Sequence, residues 1–236
     1  MNTNNSHQSA LRKGRFSEPG RVYSITKCVD KKLFTTGKLV LPSDPVEAGR
    51  SKLPLAKYTG RSKLPLAKYT GRSKLPLAKS IRNEDVAPTL NLIHPDIAKI
   101  LIDTLIWHKD HKKIRLGGFV IMPDHYHLII ALVRDNLSAV MKTIDSFTAR
   151  KINTILRQMG RNQEDSRNQE VAPTGGQFWQ RGYYDHLLRH KENFIVHLNY
   201  IHNNPVRKGY VERMEMWPFS TANTKWTHLI DWEWFR

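Results

Sequence analysis

An α+β sandwich on a central antiparallel sheet, of the ferredoxin-like kind, is the fold predicted by three observations. Short β-branched and aromatic runs alternate with amphipathic helical stretches in the order β-α-β-β-α-β-α. The middle two strands are joined by a tight Pro123-Asp124 connection, which suits an antiparallel hairpin. The 236 residues reduce to one domain of ordinary size once two foreign-looking segments are set aside.

The elements follow in order. Arg21 to Val29 reads as a strand entered from the turn-like Glu18-Pro19-Gly20. Pro95 to Lys112 reads as a helix, with Ile97, Ile100, Leu101, Leu105 and His108 at three-to-four spacing and Pro95 at its entry. Ile114 to Met122 and His125 to Val133 are the hairpin strands. Leu137 to Met159 is a long amphipathic helix. Its apolar stripe holds Leu137, Val140, Met141, Ile144, Ile152 and Ile155, while Lys142, Arg150 and Arg157 form either a solvated face or a phosphate track. Phe178 to Leu188 reads as a strand, within which Trp179 fits a buried ring better than a base-stacking surface. A last helix, Lys191 to Asn204, is expected to stop at Pro205.

The two segments set aside lie at about 37–90 and 160–176. The first holds an 11-residue repeat, Gly-Arg-Ser-Lys-Leu-Pro-Leu-Ala-Lys-Tyr-Thr, starting at Gly49, Gly60 and Gly71. A Pro in every unit forbids continuous helix, and the identity of the units suggests tandem duplication. The second partly echoes the end of the first: Arg82 to Thr89 resembles Arg167 to Thr174. Both read as surface insertions into a single domain, since loop closure costs little per added residue. An alternative reading makes the repeat a basic arm that grips phosphates.

The formal charge is +17, and removing the nine cations of the repeat leaves +8, still basic enough to favour nucleic acid as partner. The single cysteine, Cys28, excludes an intramolecular disulfide and a cysteine-based zinc cluster, as in a reducing cytoplasm. No apolar leader precedes Ala10, and no run approaches the ~20 apolar residues of a membrane span, so no membrane partner is expected.

Chemistry enters at His125-Tyr126-His127. On a strand, residues i and i+2 share one face, so the imidazoles converge and Tyr126 points away. Two neutral nitrogens on a rigid element make half of a metal site. On the last helix, Phe194, Ile195, Leu198 and Ile201 form the buried stripe. Tyr200 falls outside it, on the side of Asn193, His197 and Asn204. Tyr200 and Asn204 stand four residues apart and are neighbours. An Asn oxygen can complete a metal site begun by two imidazoles, with a phenol beside it as nucleophile.

These residues carry a resemblance. His125-Tyr126-His127 resembles the His-hydrophobic-His element of the HUH single-tyrosine endonucleases and transposases, and the chain is similar to the REP-associated tyrosine transposases. The matching stretches are Arg15 to Thr26, Val120 to His127, Ser146 to Asn153, Phe178 to His186 and Tyr200 to Gly209. The resemblance implies Tyr200 as nucleophile and His125, His127 and Asn204 as ligands of Mg²⁺ or Mn²⁺. It further implies single-stranded or hairpin DNA as substrate, a 5′-phosphotyrosine intermediate with a free 3′-hydroxyl, and a cytoplasmic, nucleoid-associated monomer or homodimer in a prokaryote. Phosphate contacts are expected from Arg150, Lys151 and Arg189, and His197 is a candidate base. Tyr183 and Tyr184 are weaker rivals to Tyr200, having no Asn four residues on. Two rival functions remain open at this point: an inactive sequence-specific DNA-binding module, and a metal phosphoesterase using activated water.

Overall fold

A computed structural model describes residues 17–30, 92–161, 177–189 and 191–235. The repeat, the first insertion and nearly all of the second lie outside these residues. Four strands, β1 (Val22–Cys28), β2 (Ile114–Ile121), β3 (His125–Leu132) and β4 (Tyr184–Leu188), form one sheet in the order β2-β3-β1-β4. Every pairing is antiparallel. With helices α1 (Pro95–Asp110), α2 (Leu137–Arg161) and α3 (Lys191–His202) interspersed, the order is that of the expected ferredoxin-like α+β sandwich.

Two layers cover the sheet. Helices α1 and α2 pack together on one face, where Lys27 of β1 bonds Asp145 of α2 at 2.6 Å. The other face receives α3, which packs chiefly on β2. Strands β2 and β3 are covered on both faces and are almost continuously buried. Strand β1 instead alternates, with Tyr23, Ile25 and Lys27 sealed beneath the helices and Ser24, Thr26 and Cys28 only half covered.

Close approach of α3 depends on glycine. At the β2–β3 irregularity between Leu116 and Gly118, a Cβ on Gly117 would stand 2.8 Å from Ile129 Cγ2. One on Gly118, whose φ is +154°, would stand 2.5 Å from Leu198 Cδ1. With no Cβ at either position, α3 can lie against the hairpin strands, at a height that brings its exposed face beside the end of β3.

Three elements differ from expectation. The strand expected over 178–188 is a single bridge, Trp179 with Val29, followed by β4 proper from Tyr184. Gly182, at φ +74°, breaks the extended run. Helix α3 ends at His202, and Pro205 starts rather than stops structure, sitting in the first turn of a short helix α4 (Asn204–Arg207). The C-terminal residues, given no element by the sequence, cover the edge of β2. Ile121 donates to Phe219 O, Thr221 to Phe119 O and Asp231 to Leu116 O, while Trp217 is wholly buried with its indole N–H on Ile121 O. A strand edge that would otherwise invite pairing with another chain is thereby closed.

Candidate metal and nucleophile site

His125 and His127 project from β3 toward the α3 face, and their Nε2 atoms approach to 3.2 Å with the rings edge to face. Each outer nitrogen is held. His125 Nδ1 donates to Asp124 Oδ1 at 2.6 Å, and His127 Nδ1 shares a hydrogen bond with Thr26 Oγ1 at 2.8 Å. Asp124 fixes the tautomer of His125, leaving its Nε2 lone pair bare and aimed at His127. The Thr26 hydroxyl can donate or accept, so His127 can meet that lone pair with an N–H or with a second lone pair around a cation. Partners on the outer nitrogen are what orients metal-binding imidazoles. Burial, then His125 and Arg207, lower the His127 pKa to about 3, while Asp124 opposes. His127 is therefore a neutral donor at pH 7. The hydrogen bond from His125 is the main cause holding the Asp124 carboxyl below its ordinary range.

Tyr200 projects from α3 across the site from the histidines, half exposed, its ring centroid 6.4 Å from that of His127. Arg207 of α4 places its guanidinium 4.9 Å from the Tyr200 ring centroid. Asn204 is buried, and its Nδ2 donates to Tyr200 O and Ile201 O, ending α3 by satisfying its last carbonyls. That commitment leaves Oδ1 as the atom able to serve a cation. Among the described residues no group of three His, Cys, Asp or Glu is placed to hold a metal.

The structure thus gathers His125, His127 and Tyr200. Tyr126 is sealed on the opposite face against Trp179, at 5.4 Å, and cannot compete as nucleophile. Trp179 is itself buried and donates to Thr148 Oγ1. Arg150 and Lys151 are exposed on α2, in the layer on the far side of the sheet from the histidines. Arg189 follows β4 at the end remote from Thr26, five residues or about 16 Å along the strand from Tyr184. His197 faces a groove beside Tyr200 and stacks on His186.

Sequence reasoning missed three neighbours of the site. Asp124 was visible only as part of a turn. Thr26 meets His127 through the β1–β3 register, which no local pattern reveals. Arg207 stands seven residues after Tyr200, a spacing that returns to the same helical face, but the expected stop at Pro205 hid it.

Two imidazoles converging beside an exposed tyrosine define a candidate metal and nucleophile site. Residues 90–204, which include His125, His127, Tyr200 and Asn204, match the family described as Transposase IS200 like. The chain's relatives are more particular. A putative REP-associated tyrosine transposase of Haemophilus influenzae is 31% identical over 114 residues, covering 48% of this chain and 61% of that one. The REP-associated tyrosine transposase of Escherichia coli is 25% identical over 138 residues, covering 57% and 72% respectively. The matched stretch therefore spans about three-fifths of the first relative's length. A solved structure of a REP-associated tyrosine transposase bound to a REP hairpin covers 88% of this chain and 79% of its own, with a TM-score of 0.46 and 18% identity.

Proposed function

We propose that this protein is a metal-dependent single-strand DNA endonuclease and strand transferase, acting on hairpin or palindromic repeat DNA of the kind its relatives' names indicate. The observation that carries the reading is the convergence of two Nε2 atoms, 3.2 Å apart, beside a half-exposed tyrosine. The donor set fits Mg²⁺ or Mn²⁺, with His125 and His127 Nε2 and Asn204 Oδ1 as ligands and Mn²⁺ favoured by the nitrogens. All three candidate ligands are neutral, so an ion held by them would keep its full charge toward phosphate and would offset charge that builds on the phosphoryl group. Tyr200 Oη attacks phosphorus, the P–O3′ bond breaks, the phenol proton passes to solvent, and the departing 3′-oxygen takes up a proton. Arg207, exposed and lying over the Tyr200 ring, would supply positive charge near the phosphoryl oxygens. The phosphotyrosine keeps the bond energy, so a 3′-hydroxyl can reverse the step and rejoin DNA without ATP.

A denaturing gel of wild type and Tyr200→Phe, each incubated with labelled hairpin DNA and Mn²⁺, tests the reading. A covalent protein–DNA band in wild type alone supports it. Nicks without such a band would indicate hydrolysis by activated water. Binding with no cleavage in either protein would indicate a DNA-binding module without activity.

A further inference from the structure

A second pair of histidines stands beside the first and is arranged differently. His186 of β4 and His197 of α3 are stacked, with ring centroids 5.1 Å apart and planes only 12° from parallel. Parallel rings direct their lone pairs sideways rather than at a shared point, so this pair is unsuited to chelation, in contrast to the edge-to-face His125 and His127 at 85°. The stack forms part of the wall of a groove of about 310 Å³ that opens beside His127 and Tyr200. Ser24 and Thr26 line its floor, with Tyr184 and His186 on the β4 side and Val196 and His197 on the α3 side. Tyr184 is 59% exposed, Val196 43% and Tyr200 51%, so three of the seven large apolar side chains left in solvent among the described residues line this one groove. Asp185 lines it too, but its carboxylate acts on Tyr23, beneath the opposite face of the sheet.

Resting on the strand-transfer reading, we infer that the groove between β4 and α3 is a base-binding subsite. It takes the nucleobase of the nucleotide next to the scissile phosphate, extending the His186–His197 stack. The groove's volume is at the low end of the roughly 300–1,000 Å³ of small-ligand pockets, room for one nucleotide rather than a duplex. Its walls are aromatic and apolar at Tyr184, Val196 and Tyr200, as a base face requires, over a hydroxyl floor of Ser24 and Thr26. Burial, then His186, lower the His197 pKa, so its imidazole stays neutral at neutral pH and keeps an uncharged ring in the stack. The phosphate beside such a base falls at Tyr200, where the groove meets the site.

Hairpin oligonucleotides with a single-stranded flank, carrying 2-aminopurine at each flank position in turn, test this with the full-length Tyr200→Phe protein, which cannot consume them. Fluorescence should be quenched at one position. Stacking on an aromatic platform corresponds to about 5- to 150-fold in affinity, so an abasic residue at that position should raise Kd by a factor in that range. His186→Ala should raise Kd equally, combining the two changes should cost little more than either alone, and His186→Phe should restore the quench. All proteins should bind the flankless hairpin alike. Additive losses, an unquenched flank, or equal weakening of the flankless hairpin would overturn the subsite. Failure of the strand-transfer reading would show separately, as absence of a covalent product in wild type.

Discussion

Tyr126 and His127 are adjacent in sequence and belong to opposite worlds. The Tyr126 ring is fully enclosed between β3 and α2, and burial pushes its pKa well above 10. On that face a charged side chain survives only by pairing. Lys27 bonds Asp145 and donates to Gln180 O and Gly182 O, each at 2.9 Å. His127 faces the other way, under α3, where cover is incomplete and a tyrosine, an arginine and a groove stand open to solvent. One face of the sheet spends its residues on enclosure and the other on presenting donors. Changes on the first should therefore appear as stability, and changes on the second as chemistry.

The largest effect should come from the open face. His125→Ala should lower covalent product at least about a thousandfold, the several kcal/mol a metal site supplies, with unfolding little altered. A retained product, measured by gel, would remove His125 from the site. Acid should act on both faces together. Burial lowers His108 and His202 to about 4 and His127 to about 3, all below the ordinary 6.5. The unfolded chain then takes up these protons first, so stability is full above pH 6.5 and drains as pH falls toward 4. At up to about 1.4 kcal/mol per histidine per pH unit, unfolding free energies from urea titrations at pH 7 and 5 should differ by several kcal/mol, with the midpoint lower at pH 5. Equal midpoints would contradict the buried, neutral assignment.

Next comes the enclosed face. Lys27→Met strands Asp145 and should cost about 3 kcal/mol, the lower end for a broken buried pair because Asp145 keeps some contact with water. Thermal melts check this, and cleavage per folded molecule should be unchanged. Gly118→Ala probes the seam between faces, since its Cβ meets Leu198. It should cost about 1–3 kcal/mol and also slow adduct formation by displacing α3, whereas a stability loss alone would uncouple α3's height from the site. The smallest effect belongs to Arg150→Gln with Lys151→Gln. Both lie across the sheet from the histidines, so hairpin affinity by anisotropy should fall less than about threefold at physiological salt. A tenfold loss would carry the DNA across α2.

Much of this contrast is legible in the sequence, because it follows from periodicity. Alternation on β3 separates Tyr126 from the histidines, and the 3.6-residue period takes Tyr200 off the Phe194–Leu198–Ile201 stripe. What stays hidden depends on long-range pairing. Thr26 reaches His127 across a hundred residues of chain, and the C-terminal cover of β2 is built from isolated backbone bonds that leave no periodic trace. Pro205 misled in a specific way: a proline ends a helix from inside but suits the first turn of the next, and only the fold shows which applies.

The account turns on Tyr200 as the atom that takes DNA. Its most direct test is digestion of the covalent complex formed with hairpin DNA and Mn²⁺, followed by mass spectrometry of the peptide carrying the nucleotide. The predicted result is a 5′-phosphonucleotide on Tyr200 alone. A nucleotide on Tyr183 or Tyr184 would move the attack to the start of β4 and contradict the site described above.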